Sequence, residues 1–177
     1  MKSILISIKP RFVADILNGK KTIEIRKTCP KNFKGWIYIY CTKGRRKERL
    51  GKRFANEYGI ISQYSLNYMC SKEEEKLNGK VVARFYLKKV EKFNGNFYDD
   101  EYLVRIGCVS WEDLHKYFRG GQTRYAWHID NLEIFDRPKE LSDFETCWKK
   151  AKGNKNEYHR HALNKAPQSY MFVETEN

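Results

Sequence analysis

The sequence predicts an α+β domain, a small mixed β-barrel of five to seven strands with two to four flanking helices. Three observations support this fold class. The chain has 177 residues, a length typical of one domain. Its apolar residues alternate in six or seven short, strand-like segments, and two or three other segments show helical spacing. These segments do not follow the βαβαβ order that a doubly wound parallel sheet requires.

The N-terminal part predicts a strand, a helix and two further strands. Residues 3–9 alternate and are rich in Ile, which is typical of a strand. Pro10 suits the first helical turn, where its missing N–H has no partner in any case. Gly19 is placed to close this helix in the left-handed conformation. Residues 21–27 and 35–42 alternate again and predict the second and third strands.

The remaining elements are predicted from shorter patterns. The strands expected here are 80–88, two strands within 124–136, and 168–174. The helices expected here are a basic helix over 45–58, a helix capped by Ser110, and a short helix over 143–151. We therefore expect residues 1–177 to form a single domain. It has an insertion around 44–78 and a basic C-terminal segment around 149–165.

The positive charge is concentrated in one segment. The formal net charge is +13, and the stretch from Lys20 to Arg53 has thirteen Lys or Arg residues, opposed only by Glu24 and Glu48. Such a one-sided basic field is typical of proteins that bind polyanions, because each cation near a phosphate adds affinity by counterion release. A solvated surface that keeps the protein soluble is the alternative. A membrane surface is disfavoured, since the segment lacks a broad apolar face.

Several classes of function have no support in the sequence. No apolar run approaches the roughly 18 residues of a membrane span, and the N-terminus does not resemble a signal peptide. The five cysteines are scattered without CxxC spacing, which favours a reduced, cytoplasmic chain. His159 and His161 alone make a weak metal site, and a solvated turn is the better interpretation. There is no nucleophile elbow and no phosphate-binding glycine loop, so we predict no metal and no cofactor.

Three charged residues make the strongest candidate site. Alternation places Glu24 and Arg26 on one face of the second strand, with Lys21 at its entry. A desolvated Lys21 would have a lowered pKa and could serve as a base or nucleophile. Glu24 could accept hydrogen bonds from a nucleobase or move a proton, and Arg26 could hold a phosphate with two hydrogen bonds. A ladder of surface ion pairs is the alternative.

Other candidate binding residues are basic, aromatic or amide side chains near predicted strand ends. They are Lys9, Lys27, Arg45, Arg46, Tyr125, Trp127, His128, Gln168 and Ser169. Lys9 precedes a helix N-terminus, which favours anions. Tyr125 and Trp127 share a strand face and could stack on a base, although aromatic residues in a strand are more often part of the core.

Three segments together resemble a known family. ISIKPRFVADILNGKKTIEIRK, YAWHIDNLEIFDRPKELSDF and KAPQSYMFVE follow one another as in the ASCH domains, which belong to the PUA-like superfamily. The resemblance covers most of the chain. It implies a five- or six-stranded barrel with a cleft beside the first helix, and ligands that are RNA or modified nucleotides. Some compact ASCH members are similar to amidohydrolases of acetylated cytidine, and others to ribonucleases.

The resemblance also bears on the choice between binding and catalysis. Lys21 corresponds to a lysine of the hydrolase-type members, but Glu24 stands where they have a threonine. We therefore expect a domain that binds RNA or a modified nucleotide, with DNA as a possible ligand. A metal-free hydrolase, with Lys21 and Glu24 as the catalytic residues, is the alternative. A third hypothesis is a phage-derived protein that binds a host protein through its basic face.

Overall fold

The computed structural model of the chain describes residues 1–43, 77–119, 123–152 and 155–175. Within these ranges it forms ten strands, three α-helices and a 3-10 turn at Leu141–Asp143. The strands are β1 (Lys2–Ile8), β2 (Ile23–Arg26), β3 (Gly35–Cys41), β4 (Val81–Leu87), β5 (Val90–Phe93), β6 (Arg124–His128), β7 (Asp130–Lys139), β8 (Glu145–Lys152), β9 (Lys155–Ala162) and β10 (Tyr170–Glu174). The helices are α1 (Pro10–Leu17), α2 (Phe97–Ile106) and α3 (Trp111–Phe118).

The strands form two sheets. The larger sheet has seven strands in the order β7-β4-β3-β1-β10-β8-β9, and β2-β6-β5 form the second sheet. At the centre of the larger sheet, β1 runs parallel to β3 and antiparallel to β10. The mixed α+β architecture with two to four helices is confirmed. The described strands outnumber the five to seven expected, and the larger sheet remains open instead of closing into a barrel.

The N-terminal elements follow the sequence pattern closely. Pro10 occupies the first position of α1, which ends at Leu17. Gly19 then adopts a φ of 69°, so the predicted left-handed end of this helix is confirmed. The chain continues into β2, all four of whose residues are buried.

The helix predicted over 143–151 is wrong. This segment is the 3-10 turn followed by β8, which pairs antiparallel with β9 from Glu145↔Ala162 to Lys152↔Lys155. The pairing partner lies later in the chain, so the local spacing of apolar residues did not reveal it. The dipeptide Gly153-Asn154 between the two strands is a hairpin signal that the helix prediction overlooked.

Both helices that follow β5 begin at capped N-termini. The Ser110 hydroxyl accepts a hydrogen bond from the Asp113 backbone N–H at 3.0 Å, which confirms the predicted cap of α3. Helix α2, capped in the same way by Asn96, was not predicted. The predicted basic helix over 45–58, and residues 44–76 of the predicted insertion, lie outside the described residues. None of the helices described here is long and apolar enough to cross a membrane.

Apolar side chains pack on both faces of the larger sheet and beneath the smaller one. One face contributes the Ile side chains of β1 and β3, and the other packs Leu5 and Tyr38 against Phe144. A third cluster joins Ile23 of β2 to Leu114 and Phe118 of α3. This cluster fixes β2 and α3 against each other, which positions the site described next.

Candidate functional site

The structure brings the three strongest candidate residues together. Lys21, Glu24 and Arg26 are buried, with 2%, 6% and 7% of their surface exposed. The Lys21 Nζ atom lies 3.5 Å from Glu24 Oε2, and Arg26 Nε lies 2.9 Å from Glu24 Oε1. One carboxylate therefore bridges two cations, and we call these three residues the charged cluster. The alternative of a surface ladder is inconsistent with this burial.

Lys21 is held in place by a backbone carbonyl as well as by Glu24. Its ammonium donates a hydrogen bond to the Gly107 carbonyl at 2.5 Å, just after α2, and lies 5.1 Å from the centre of the Phe12 ring. Burial lowers the pKa of the Lys21 ammonium below that of an ordinary lysine, and the Glu24 carboxylate opposes part of this shift. The side chain is thus a desolvated amine beside a carboxylate.

Arg26 joins the cluster to the ends of two strands. Its Nη2 donates to the Ser7 carbonyl at 2.6 Å, and its Nη1 lies 3.4 Å from the Ser169 hydroxyl oxygen. Ser7 in turn donates its hydroxyl to the Pro167 carbonyl at 2.6 Å and its backbone N–H to the Ser169 carbonyl. The segment that leads into β10 is therefore tied to β1, and the predicted candidate Ser169 lies beside Arg26.

Tyr117 is a site neighbour that the sequence analysis missed. It lies near the end of α3, and its phenol oxygen is within hydrogen-bonding reach of the Arg26 guanidinium and the Lys27 backbone N–H. The Lys27 ammonium lies 4.9 Å from the centre of its ring. Burial raises the pKa of the Tyr117 phenol above its ordinary value. In sequence it is one apolar position of an amphipathic helix, which gives no signal that it meets β2.

The strand β6 contributes fewer residues to the candidate site than was expected. Trp127 is fully buried, donates its indole N–H to the Thr28 carbonyl and packs edge-to-face on Tyr170 at 5.1 Å. Its proposed role in base stacking is therefore wrong, because neither ring face is open to a ligand. In the antiparallel pairing of β2 with β6, Glu24 lies opposite Trp127 and Arg26 lies opposite Tyr125. The buried Trp127 is therefore a core residue next to the charged cluster.

The other predicted binding residues lie at the edge of the charged cluster or away from it. His128 is paired with Glu91, 2.7 Å away. Lys9 is exposed at the N-terminus of α1, and Gln168 is exposed one residue before Ser169. Arg45 and Arg46 lie outside the described residues. Within the described ranges, no three metal-ligating side chains come together, and the parallel rings of His159 and His161 are 6.5 Å apart.

A second buried ion pair joins the small sheet to the helix α2. Arg124 of β6 contacts Asp100 of α2 through Nε, 2.7 Å from Oδ1, and through Nη2, which donates to Oδ2 at 3.0 Å. The guanidinium also covers the Phe118 ring at 4.8 Å. This pair fixes both helices on the small sheet and so sets the position of Tyr117.

The fold can be compared with solved structures. An ASCH protein of Zymomonas mobilis matches with a TM-score of 0.58 and 19% identity, over 97% of this chain and 87% of that chain. Variants of that protein with a Tyr-to-Phe and with a Ser-to-Ala change match with a TM-score of 0.56 and 18% identity. The Tyr-to-Phe match covers 98% of this chain and 91% of that chain, and the Ser-to-Ala match 97% and 88%.

The chain has an ASCH-type fold. The resemblance seen in the three sequence segments is thus confirmed at the level of the fold, and at this identity the likeness shows the fold alone. No protein-family model matches the sequence, and no curated protein does.

Proposed function

We propose that this ASCH-type domain binds RNA or a modified nucleotide at the charged cluster. The observation that carries the proposal is the charge of a buried site in which, among the described residues, Lys21 and Arg26 both pair with the carboxylate of Glu24. Desolvating a cation without full compensation is unfavourable, and an anionic ligand would supply the missing charge. A phosphate oxygen at Arg26 and Ser169 would do so with charge-assisted hydrogen bonds.

The surroundings of the cluster favour a nucleotide over a simple anion. Glu24 is an acceptor that can pair with the exocyclic amine of a base, and the Ser169 hydroxyl can both donate and accept. The basic segment from Lys20 to Arg53 supplies cations for further phosphates of a longer chain. The ASCH-type fold adds support, because the resemblance described above implies RNA or modified nucleotides as ligands. We place this function in the cytoplasm, as the cysteine pattern indicates.

The Lys21–Glu24 pair also supports a second candidate, a metal-free hydrolase. A desolvated amine whose pKa is lowered by burial, beside a carboxylate, can act as a base toward a substrate more readily than an ordinary lysine. The substrates to try are acetylated cytidine and a labelled RNA, with Lys21→Met and Glu24→Gln as the variants. Turnover that both variants abolish would favour this candidate, and turnover that neither changes would exclude it.

The binding proposal is tested by fluorescence anisotropy with a short structured RNA. We expect affinity to fall about 10³-fold or more between about 50 and 200 mM salt if several phosphates are contacted. Arg26→Gln removes one charge from the cluster and should weaken binding about tenfold or more. The matched control is Arg105→Gln, which removes the same charge from an exposed position on α2 and should change affinity by less than about threefold.

Each outcome of this comparison is informative. Equal losses in Arg26→Gln and Arg105→Gln would mean that only the overall charge matters, and the cluster would be excluded as the ligand site. Arg26→Lys keeps the charge but loses the paired hydrogen bonds, so it should lie between the wild type and Arg26→Gln. Circular dichroism of each variant separates loss of binding from loss of folding.

A further inference from the structure

We propose that Tyr117 is the residue that stacks on the base of the bound nucleotide, an inference that rests on the proposed function. The phenol oxygen of Tyr117 reaches Arg26, which belongs to the charged cluster. The ring therefore lies beside the position that a phosphate or a base edge would take. Phe12, which lies 5.1 Å from the Lys21 ammonium, is the other described aromatic neighbour of the cluster, and it is less exposed than Tyr117.

The ring is exposed, in contrast to its neighbour in the chain. Tyr117 has 42% of its surface exposed, whereas Phe118 is fully buried. The two rings meet edge-to-face with centres 4.8 Å apart, so Phe118 anchors the end of α3 while Tyr117 stays at the surface. The Phe118 ring is itself covered by Arg124, which is paired with Asp100. An exposed ring on a rigid support is the arrangement that stacking requires.

The ring already has close neighbours in the absence of a ligand. The Lys27 ammonium lies over it, 4.9 Å from its centre, and its phenol oxygen is within reach of the Arg26 guanidinium. A side chain that is already ordered loses little conformational entropy on binding. The Lys27 side chain is exposed, so its ammonium can turn away from this ring toward a phosphate of the same nucleotide and leave the ring face open.

The chemical class of ligand follows from this placement. A planar base can stack on Tyr117 while its phosphate or ribose reaches Arg26 and Ser169. Stacking is tolerant of base identity, because every base has a π-face. The structure thus assigns the site to nucleotides with an unpaired, accessible base, such as those of single-stranded RNA or of a free modified nucleotide.

The test compares two labelled oligomers of about ten nucleotides, a length within the usual site size. One is oligouridine, and the other is a ribose-phosphate chain without bases. For Tyr117→Ala we expect the affinity for oligouridine to fall roughly 5- to 150-fold, toward that of the abasic chain. The affinity for the abasic chain should not change. Tyr117→Phe keeps the ring and should retain most of the preference for bases.

Two further variants serve as controls. Tyr98→Ala removes a tyrosine that is 79% exposed on α2, and it should bind both oligomers like the wild type. Tyr117→Leu keeps apolar volume without a planar ring, so it gives the answer if Tyr117→Ala does not fold. An unchanged preference for oligouridine in Tyr117→Leu or Tyr117→Ala would overturn the role of Tyr117 and leave the binding proposal intact. Failure of the wild-type protein to bind oligouridine would overturn the stacking proposal, and failure to bind the structured RNA as well would overturn both.

Discussion

Replacing Asp100 by Asn is expected to destabilise the protein strongly, because it removes the carboxylate that pairs with the buried Arg124 guanidinium. The side chains of Arg124 and Asp100 are 2% and 4% exposed, and both carboxylate oxygens contact the guanidinium. Solvent screening is therefore small. Breaking a buried pair from one side costs about 3–5 kcal/mol of unfolding free energy. For a domain of this size that corresponds to a fall of roughly 6–20 °C in Tm.

The assay is urea unfolding followed by circular dichroism, with the neighbouring Asp99→Asn as the matched control. Asp99 is only partly buried and accepts a hydrogen bond from the Asn94 backbone N–H at 3.2 Å, so its loss should cost about 1 kcal/mol or less. A double variant, Asp100→Leu with Arg124→Met, removes both charges and should recover much of the lost stability. A loss in Asp100→Asn no larger than in Asp99→Asn would refute the reasoning.

Two further predictions concern the backbone and the charged cluster. Gly95→Ala should cost about 2 kcal/mol or more, since a Cβ atom there would lie 1.8 Å from Arg124 Nη1 on a backbone with φ of +81°. Gly19 has a similar φ of +69°, but no atom lies within 4 Å of a Cβ built there, so Gly19→Ala should lower the unfolding free energy by only about 1 kcal/mol. Equal losses of unfolding free energy for the two variants in urea titrations would exclude the steric explanation. Lys21→Met should be more stable than the wild type at neutral pH. Burial holds the folded-state pKa of Lys21 below the ordinary 10.5, so between these two values the unfolded chain binds more protons. The unfolding free energy of the wild type should therefore rise as pH rises through that window, and the stability advantage of Lys21→Met over the wild type should shrink. A difference in unfolding free energy between the two proteins that stays constant with pH would contradict this.

Local pattern was sufficient to predict the part of the fold that carries the site. Alternation and one well-placed proline and glycine gave β1, α1 and β2. The grouping of Glu24 with Arg26 followed from the same pattern, because residues two apart on a strand share a face, and Lys21 was expected at the entry of that strand. The burial of all three could not be predicted, since it depends on which other segments cover β2.

The features that the sequence did not predict depend on contacts between distant segments. The pairing of β8 with β9 overrode a helical pattern at 143–151. Tyr117 meets Arg26 across about ninety positions of the chain, and Asp100 meets Arg124 from another element. The sequence left Trp127 between stacking and the core for a related reason, because an aromatic residue on a strand has the same pattern in a core as in a binding face.

The burial of the charged cluster is hard to explain by stability. Apolar packing of β2 against α3 is already supplied by Ile23 and Ile25, which face the third core cluster. Buried ion pairs are often no more stabilising than apolar residues of similar volume. Among the described residues, two cations pair with the Glu24 carboxylate, so the folded protein retains part of the desolvation cost. An anionic ligand, as proposed above, would offset that cost. The Ser7–Ser169 contacts and the Asp100–Arg124 pair, which order the elements around the cluster, would then also hold its residues in position for such a ligand.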